Sequence, residues 1–567
     1  MLVLAQTTPD YHRHSRYGAR CPVGRRASPV ERRVRARQFD GVEGHPAQRR
    51  SQRSSLVAEA FDSLQLANAT SIGAAISRMA ARFAAGDDQL AVKVRQRQDA
   101  ARRWQALDKS LIKAVSQPHR KRNKEKEKAL HQDLKSIGER IQKIDAELAK
   151  TFPQYAGLTS SKPVPIANIQ SLLGPEEAML TLATSWNPKT REQDQTHVFI
   201  VTKTDQKAYT VDVPLEYLKE TVSKLRAAMD LSKVEGPKDL IHFDTKIAHE
   251  LYQKLLGPSE ETLSGIKHLF VVPTGPLQSL PLGVLVTATP QGKGYRNTEW
   301  LAKRLAITTL PSVSSLKALR GFTRKRKTRN AFTGFGDPQL GGGTGDANGV
   351  KIASLFRGAI ANVNEVRRLS PLPDTANELR QIGAYLGAGE DDIYLGARAT
   401  ETLVKKLPLN QSKVLAFATH GLVSGELTGL SEPALVLTPP YNGTEEDDGL
   451  LTASEIAQLK LDADWVILSA CNTASGDKPG AEGLSGLAKA FFYAGARALL
   501  VSHWPVESTA ATQLTTTMFD ELKASPKIGR SEALRRSMMK LASREDRPDY
   551  AHPVFWAPFV VVGEGAN

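Results

Sequence analysis

From about Leu56 the apolar positions recur three and four residues apart, first through AISRMAARFAAGDDQLAVKVRQRQDAARRWQALDKSLIKAV and then through EKALHQDLKSIGERIQKIDAELAKTF. That spacing predicts helices. Pro118 and the charge run HRKRNKEKEK separate the two stretches, so residues 56–152 are expected to form two antiparallel helices joined by a solvated loop or helix end. After Pro153 the period changes. AMLTLATSW, HVFIVTK, AYTVDV and HLFVVPT are strand-like and LEYLKETVSKLRAAM is helical, which makes residues 155–320 an α/β unit. A basic, turn-rich link, GFTRKRKTRN, comes next. The stretch GFGDPQLGGGTGDANG after it lacks the strand, loop and helix frame of a phosphate-binding loop, and is expected to be a flexible surface loop.

Two later runs, VLAFA (residues 414–418) and WVIL (residues 465–468), are apolar throughout. Strands covered on both faces read this way. Between them TASEIAQL opens with a capping box, Thr452 with Glu455 three residues on, and predicts a short helix. Strand, crossover, helix, strand is the order that sets two strands parallel and usually adjacent. The first run leads into Thr419, His420 and Gly421, and the second into Ser469, Ala470 and Cys471. His420 and Cys471 are therefore expected at the carboxyl ends of neighbouring strands, where open parallel sheets present their ligand crevice. From Gly483 a helix with Leu484, Leu487, Ala488, Phe491 and Phe492 on one face is expected to close at Gly495, and residues 501–504 read as the next parallel strand.

Composition narrows the class. The chain has 567 residues, 41% hydrophobic content and two cysteines, Cys21 and Cys471. Several domains with real cores follow, and a disulfide framework does not. A thiol left free fits a reducing compartment, no apolar run reaches the length of a membrane span, and MLVLAQTTPD turns polar too early for a signal peptide; a cytoplasmic protein without a membrane partner is expected. The net charge of +16 changes the picture less than its size suggests. Residues 1–55 hold 12 Arg and no Lys against four acids, half of the excess in a tenth of the chain. Few apolar residues and no period predict a disordered basic leader, a solvated tail rather than a nucleic-acid arm, since no basic patch is interleaved with aromatics.

The chemistry converges on Cys471 and His420. A thiol of ordinary pKa ~8.5 is mostly un-ionised at neutral pH, whereas a neighbouring imidazole and a helix amino end both favour thiolate. Small residues follow Cys471 and leave room for a substrate backbone. The backbone N–H groups of Gly421 and Cys471 are candidates for an oxyanion hole, with His420 activating the thiol or protonating the leaving amine. Taken singly, a strand-end cysteine is usually an inert buried residue and a lone histidine a structural donor. Their conjunction, 51 positions apart and joined by one crossover, is what points to catalysis.

Six ordered motifs carry a resemblance: HLFVVPTGPLQSLPLGVL, PLPDTANEL, AFATHGLVSG, GLLTASEIAQLKLDADWVILSACNTASG, EGLSGLAKAFFYAGARALLVSHWPV and HPVFWAPFVVVGEG. From about Gln170 to Gly563 the chain resembles the CHAT domain, a caspase-like cysteine peptidase family related to separases. The resemblance implies a Cys–His dyad at His420 and Cys471, neither metal nor organic cofactor, a protein substrate and a regulatory protein partner. It also implies an α/β caspase-like sandwich with a mostly parallel central sheet, here preceded by a helical segment. A degenerate half (155–320) would precede the catalytic half (330–567). Relatives commonly carry tetratricopeptide repeats upstream, but residues 1–55 show no 34-residue period and only the helical segment offers a remnant. Where relatives tend to have two acids after Trp-Pro-Val, this chain has Glu507 and then Ser508.

Glu507 has two readings, as an unpaired carboxylate in a substrate pocket that attracts Lys or Arg, or as the cap of the helix that follows. The pocket reading makes residues 324–329, RKRKTR, a site of self-processing. The function expected is a cysteine endopeptidase. The alternatives are a scaffold or regulatory module that uses the fold without turnover, and an acyltransferase using the same thiol.

Overall fold

The computed structural model describes residues 46–67, helical positions scattered between 73 and 117, and residues 122–151, 163–184, 195–231, 234, 236–290, 292, 294–320, 330–341, 356–357, 360–361, 363–422, 432–444, 446–470 and 486–566. The helices used below are α1 (Pro46–Ala67), α2 (Lys124–Thr151), α3 (Leu215–Ala227), α4 (Thr245–Leu255), α5 (Asp374–Leu386), α6 (Ala453–Ile456), α7 (Gly486–Ala494), α8 (Ser508–Ala524) and α9 (Arg530–Ala542). The strands of the first half are β1 (Glu177–Thr184), β2 (Thr196–Thr202), β3 (Gln206–Val211), β4 (His268–Val272) and β5 (Ala306–Thr309). Those of the second half are β6 (Asn330–Pro338), β7 (Phe356–Arg357), β8 (Ile360–Ala361), β9 (Ile393–Gly396), β10 (Ser412–Ala418), β11 (Gly421–Leu422), β12 (Ala434–Val436), β13 (Leu450–Thr452), β14 (Trp465–Ser469), β15 (Ala498–Ser502) and β16 (Phe559–Gly563).

Among the described residues eleven strands form one sheet, in the order β3-β2-β1-β4-β5-β16-β15-β14-β10-β6-β9. Pairing is parallel except for β1 with β2, β2 with β3 and β15 with β16. The chain is therefore mixed α/β with a mostly parallel sheet. Because β16 is antiparallel to β15 but parallel to β5, the strands β1, β4, β5 and β16 run opposite to β15, β14, β10, β6 and β9, and the two sets meet between β16 and β15. Strands from both stretches, 155–320 and 330–567, share this one sheet.

Both faces of the sheet are covered, which is why its central strands lack polar alternation. In β10, Leu415 and Phe417 join the core on one face while Ala416 and Ala418 join the other; in β14, Val466 and Leu468 divide from Trp465 and Ile467 in the same way. The register of these two strands aligns Val414 with Trp465 and Ala418 with Ser469. They are adjacent and parallel, as their crossover predicts.

Three sequence expectations change. The stretch GFGDP is not a surface loop but the end of the buried strand β6, parallel to β10. Its glycines answer a packing demand: a Cβ on Gly336 would lie 2.6 Å from Leu379 Cδ1 and 2.9 Å from the Ala418 carbonyl oxygen. Only the later part, residues 342–349, lies outside the described residues. Helix α1 begins at Pro46, inside the stretch expected to be a disordered leader. Arg and Gln are good helix formers, so a scarcity of apolar residues does not end the helix. Phe61 of α1 is fully buried against Phe199 of β2, ring centroids 5.7 Å apart, and Gln65 exchanges two hydrogen bonds with the Val164 backbone. The third change is at β15, which starts at Ala498 rather than at residue 501. The helical hairpin is antiparallel: Lys93 pairs with Glu147 at 2.6 Å and Arg97 with Asp145 at 2.9 Å. Residues 1–45 and the basic link 321–329 lie outside the described residues.

Candidate active site

The Thr452 to Glu455 capping box closes as expected and starts α6, so the crossover from β10 to β14 keeps the predicted short helix. Before it, the chain turns through a second, three-stranded sheet, β11-β12-β13, that begins at Gly421. This small sheet stands at the carboxyl ends of β10 and β14.

Thr419 is clamped from two sides, its N–H donating to Ser469 O at 3.2 Å and its hydroxyl donating to Val436 O. His420 follows, half-buried. Its Nε2 lies 2.8 Å from Ser370 O. A carbonyl only accepts, so Nε2 carries the proton and Nδ1 holds the lone pair when the ring is neutral. Burial lowers the His420 pKa below the ordinary 6.5, and the bond to Ser370 opposes that in part. A neutral imidazole at neutral pH, with Nδ1 as its basic atom, follows.

Gly421 pairs with Leu435, and Val436 N–H donates to His420 O at 2.9 Å. In an antiparallel ladder this makes the Gly421–Leu435 pair the non-hydrogen-bonded kind, so the pairing leaves the Gly421 N–H unspent. Cys471 itself lies outside the described residues. Its attachment does not: it is two residues beyond Ser469, the partner of Ala418, while His420 is two residues beyond Ala418.

The chain just before Cys471 is held by groups that sequence reasoning missed. Ser502 Oγ, fully buried at the end of β15, donates to Ala470 O at 2.7 Å. Ser469 Oγ donates to Glu378 Oε2 at 3.1 Å, and Thr515 Oγ1 of α8 donates to Glu378 Oε1 at 2.8 Å. Glu378 is 1% exposed. Burial pushes its carboxyl up to about 7 from 4.5, with the two hydroxyls pulling the other way. One signal for it was present: an acid on the apolar face of a helix, beside Leu379 and Ile382. A backbone carbonyl such as that of Ser370 leaves none.

Beyond β15, His503 is buried, its pKa pushed down to about 3 by burial and then by Arg226. Arg226 reaches across from α3, donating through Nη2 to His503 O at 3.0 Å and lying 4.9 Å over the Trp504 ring. The Glu507 carboxylate is not unpaired. It caps α8, accepting from Ala510 N–H at 2.7 Å, and accepts from Tyr550 O–H at 3.0 Å. The premise of the basic pocket is thus replaced by the cap. Among the described residues no group of three or more His, Cys, Asp or Glu is arranged to hold a metal ion, and no helix is long and apolar enough to cross a membrane.

Residues 245–564 match the CHAT domain family. Tetratricopeptide repeat protein 28 of Mus musculus is 27% identical over 368 residues, and its Homo sapiens counterpart 26%. Each match covers 55% of this chain but only 13% of the relative, so the chain corresponds to a small part of those proteins. Among solved structures, the Saccharomyces cerevisiae separase–securin complex aligns with a TM-score of 0.44 at 10% identity, over 73% of this chain and 31% of that one. The complex of Porphyromonas gingivalis RgpB pro- and mature domains aligns with a TM-score of 0.34 at 11% identity, over 62% and 76%.

Proposed function

The chain belongs to the CHAT domain family, and we propose that it is a cysteine endopeptidase that cleaves a protein partner through His420 and Cys471. The observation that carries this reading is the register of β10 and β14, because it brings the attachment points of both residues to the same edge of adjacent parallel strands. Neighbouring strands are about 4.8 Å apart, within reach of two side chains that converge.

His420 Nδ1 takes the thiol proton, and the Cys471 sulfur attacks the scissile carbonyl carbon as its C=O π pair moves to oxygen. The N–H groups of Gly421 and Cys471 hold that oxyanion. Collapse breaks the C–N bond, and the imidazolium gives its proton to the leaving amine. Water, deprotonated by His420, then attacks the thioester and releases the carboxylic acid, with the proton returned to sulfur. No metal or organic cofactor enters these steps. A protein substrate and a regulatory protein partner go with this reading, as does a reducing, cytoplasmic setting for the thiol.

A thiol-directed alkylating probe tests it on wild type, Cys471→Ala and His420→Ala, with the labelled peptides identified by mass spectrometry. Cys471 is expected to label faster than Cys21, and more slowly in His420→Ala. Equal labelling of both cysteines in native protein sinks the nucleophile and leaves a non-catalytic scaffold. New termini in wild type, absent from Cys471→Ala, report cleavage; an intact link 324–329 excludes self-processing.

A further inference from the structure

The segment 370–378 touches both arms of the site. At its start Ser370 O accepts the His420 Nε2 proton; at its end Glu378 accepts from Ser469, two residues before Cys471. Helix α5 begins at Asp374 within this segment, and packs its buried face, Leu379, Ile382 and Gly383, against β6 and β10. We propose that Glu378 is a positioning residue that holds the end of β14 through Ser469, two residues before Cys471. This rests on Cys471 being the nucleophile and goes beyond it.

The chemistry follows from hydrogen-bond capacity. An ionised carboxylate only accepts, so it takes the Ser469 hydroxyl proton and competes with Ala511 O and Thr512 O, each 3.1 Å from Thr515 Oγ1, for that of Thr515. A hydrogen bond to a charged acceptor is the stronger kind, so protonating the carboxyl weakens its hold on the Ser469 hydroxyl. The anchor on Ser469 is firm in the first state and weaker in the second. Because burial sets this titration near neutrality, the firmness of the strand end changes across the physiological range.

Neighbouring charges do not take over the role. The titratable groups of the packed elements are Asp337 on β6, Lys413 on β10, Tyr394 on β9 with Glu390, Asp391 and Asp392 just before it, Asp374, Arg380 and Tyr385 on α5 itself, and Asp520, Glu521 and Lys523 on α8, with His420 beyond the end of β10. Among the described residues none of them hydrogen-bonds to Glu378, whose partners are Ser469 and Thr515, and Arg380 is turned outward to Glu390 at 3.2 Å.

The test uses the full chain and iodoacetamide at limiting concentration, following alkylation of the Cys471 peptide from pH 5.5 to 9. Wild type, Glu378→Gln, Ser469→Ala and His420→Ala are compared, each checked by circular dichroism. Wild type is expected to show an ionisation near pH 7 besides that of the thiol. Glu378→Gln, which cannot titrate, loses it, and its rate at pH 8 falls on the order of tenfold, the scale of a small misplacement in a reacting pair. Ser469→Ala cuts the same link by one hydroxyl and decides the matter if Glu378→Gln does not fold. A folded Glu378→Gln or Ser469→Ala with the wild-type rate and pH profile overturns the proposal. If His420→Ala also alkylates as wild type does, the dyad fails; if His420→Ala is slowed and Glu378→Gln is not, only the positioning role fails.

Discussion

Glu378→Gln makes a second, thermodynamic prediction that needs no substrate. In the folded protein the carboxyl titrates at about 7, against an ordinary value of 4.5. Between those values the folded chain keeps a proton that the unfolded chain has released, so stability falls as pH rises. The contribution is fully present below about 4.5 and lost as pH passes through about 7. Each pH unit in the window is worth about 1.4 kcal/mol, and the loss totals about 3 kcal/mol. Because the side chain is 1% exposed, solvent does not dilute that figure. Glutamine has the same shape and two hydrogen-bonding atoms but no proton to lose. Whatever fixed cost the amide brings is the same at every pH, so the informative quantity is the difference between the two proteins at pH 8 minus that at pH 5. Glu401, likewise pushed up by burial, titrates in both proteins and cancels. Relative to wild type the variant is expected to gain about 3 kcal/mol over that interval, on the order of 5 °C in Tm, read by thermal melts or urea midpoints. A difference between the two proteins that is the same at pH 5 and pH 8 refutes the reasoning, since it means that the carboxyl does not titrate in this window.

Gly421→Val is expected to cut turnover of a peptide library by a factor of ~10²–10³ with the melting temperature unchanged, because an extended strand accepts a β-branched residue while the side chain crowds the oxyanion; turnover at the wild-type rate excludes the proposed hole. Arg320→Met strands two carboxylates, Glu177 at 2.6 Å and Glu564 at 3.0 Å, and is expected to cost roughly 3–5 kcal/mol in denaturant midpoints. An unchanged midpoint would show that the pair is not buried. Glu507→Ala removes the cap of α8 and is expected to cost about 1 kcal/mol, while Glu507→Gln keeps the acceptor and costs less; a cleavage preference that changes in Glu507→Gln with stability intact would restore the pocket.

What the sequence makes legible here is what depends on neighbours along the chain. VLAFA and WVIL announce strands buried on both faces, and Thr452 with Glu455 announces the turn into α6, because each feature is settled within a few residues. The adjacency of β10 and β14 follows from one further rule about crossovers. Strand β6 is misread because its glycines serve distant partners: Gly336 yields space to Leu379 and to the Ala418 carbonyl, and local composition shows only a run of turn formers. The insertion of β16 between β5 and β15 joins residues some 60 and 250 positions apart, a pairing with no local trace. Glu507 shows the same limit at a single residue. Its position after Trp-Pro-Val fits a pocket and a cap equally well, and the donors that surround it are Ala510 N–H, three residues on, and Tyr550 O–H, 43 positions on, the second of which leaves no local trace.

The first half of the sheet contributes more than bulk to the candidate site. Arg226 on α3 donates to the carbonyl of His503 and lies over Trp504, whose indole N–H donates to Val554 O at 2.9 Å. Burial pulls Arg226 down to about 10, still above neutral pH, so the guanidinium stays charged where it meets that carbonyl. His503 N–H in turn donates to Pro558 O at 2.9 Å, and the residue before it, Ser502, holds the Ala470 carbonyl. Contacts therefore run without a break from a helix of the first half to the peptide that precedes Cys471. Glu378 grips Ser469 from α5. The end of β14 is thus held by side chains of β15 and α5 as well as by the sheet. Parallel ladders end where their strands diverge, and a nucleophile beyond such an end is positioned only as well as the groups that grip the last residues before it.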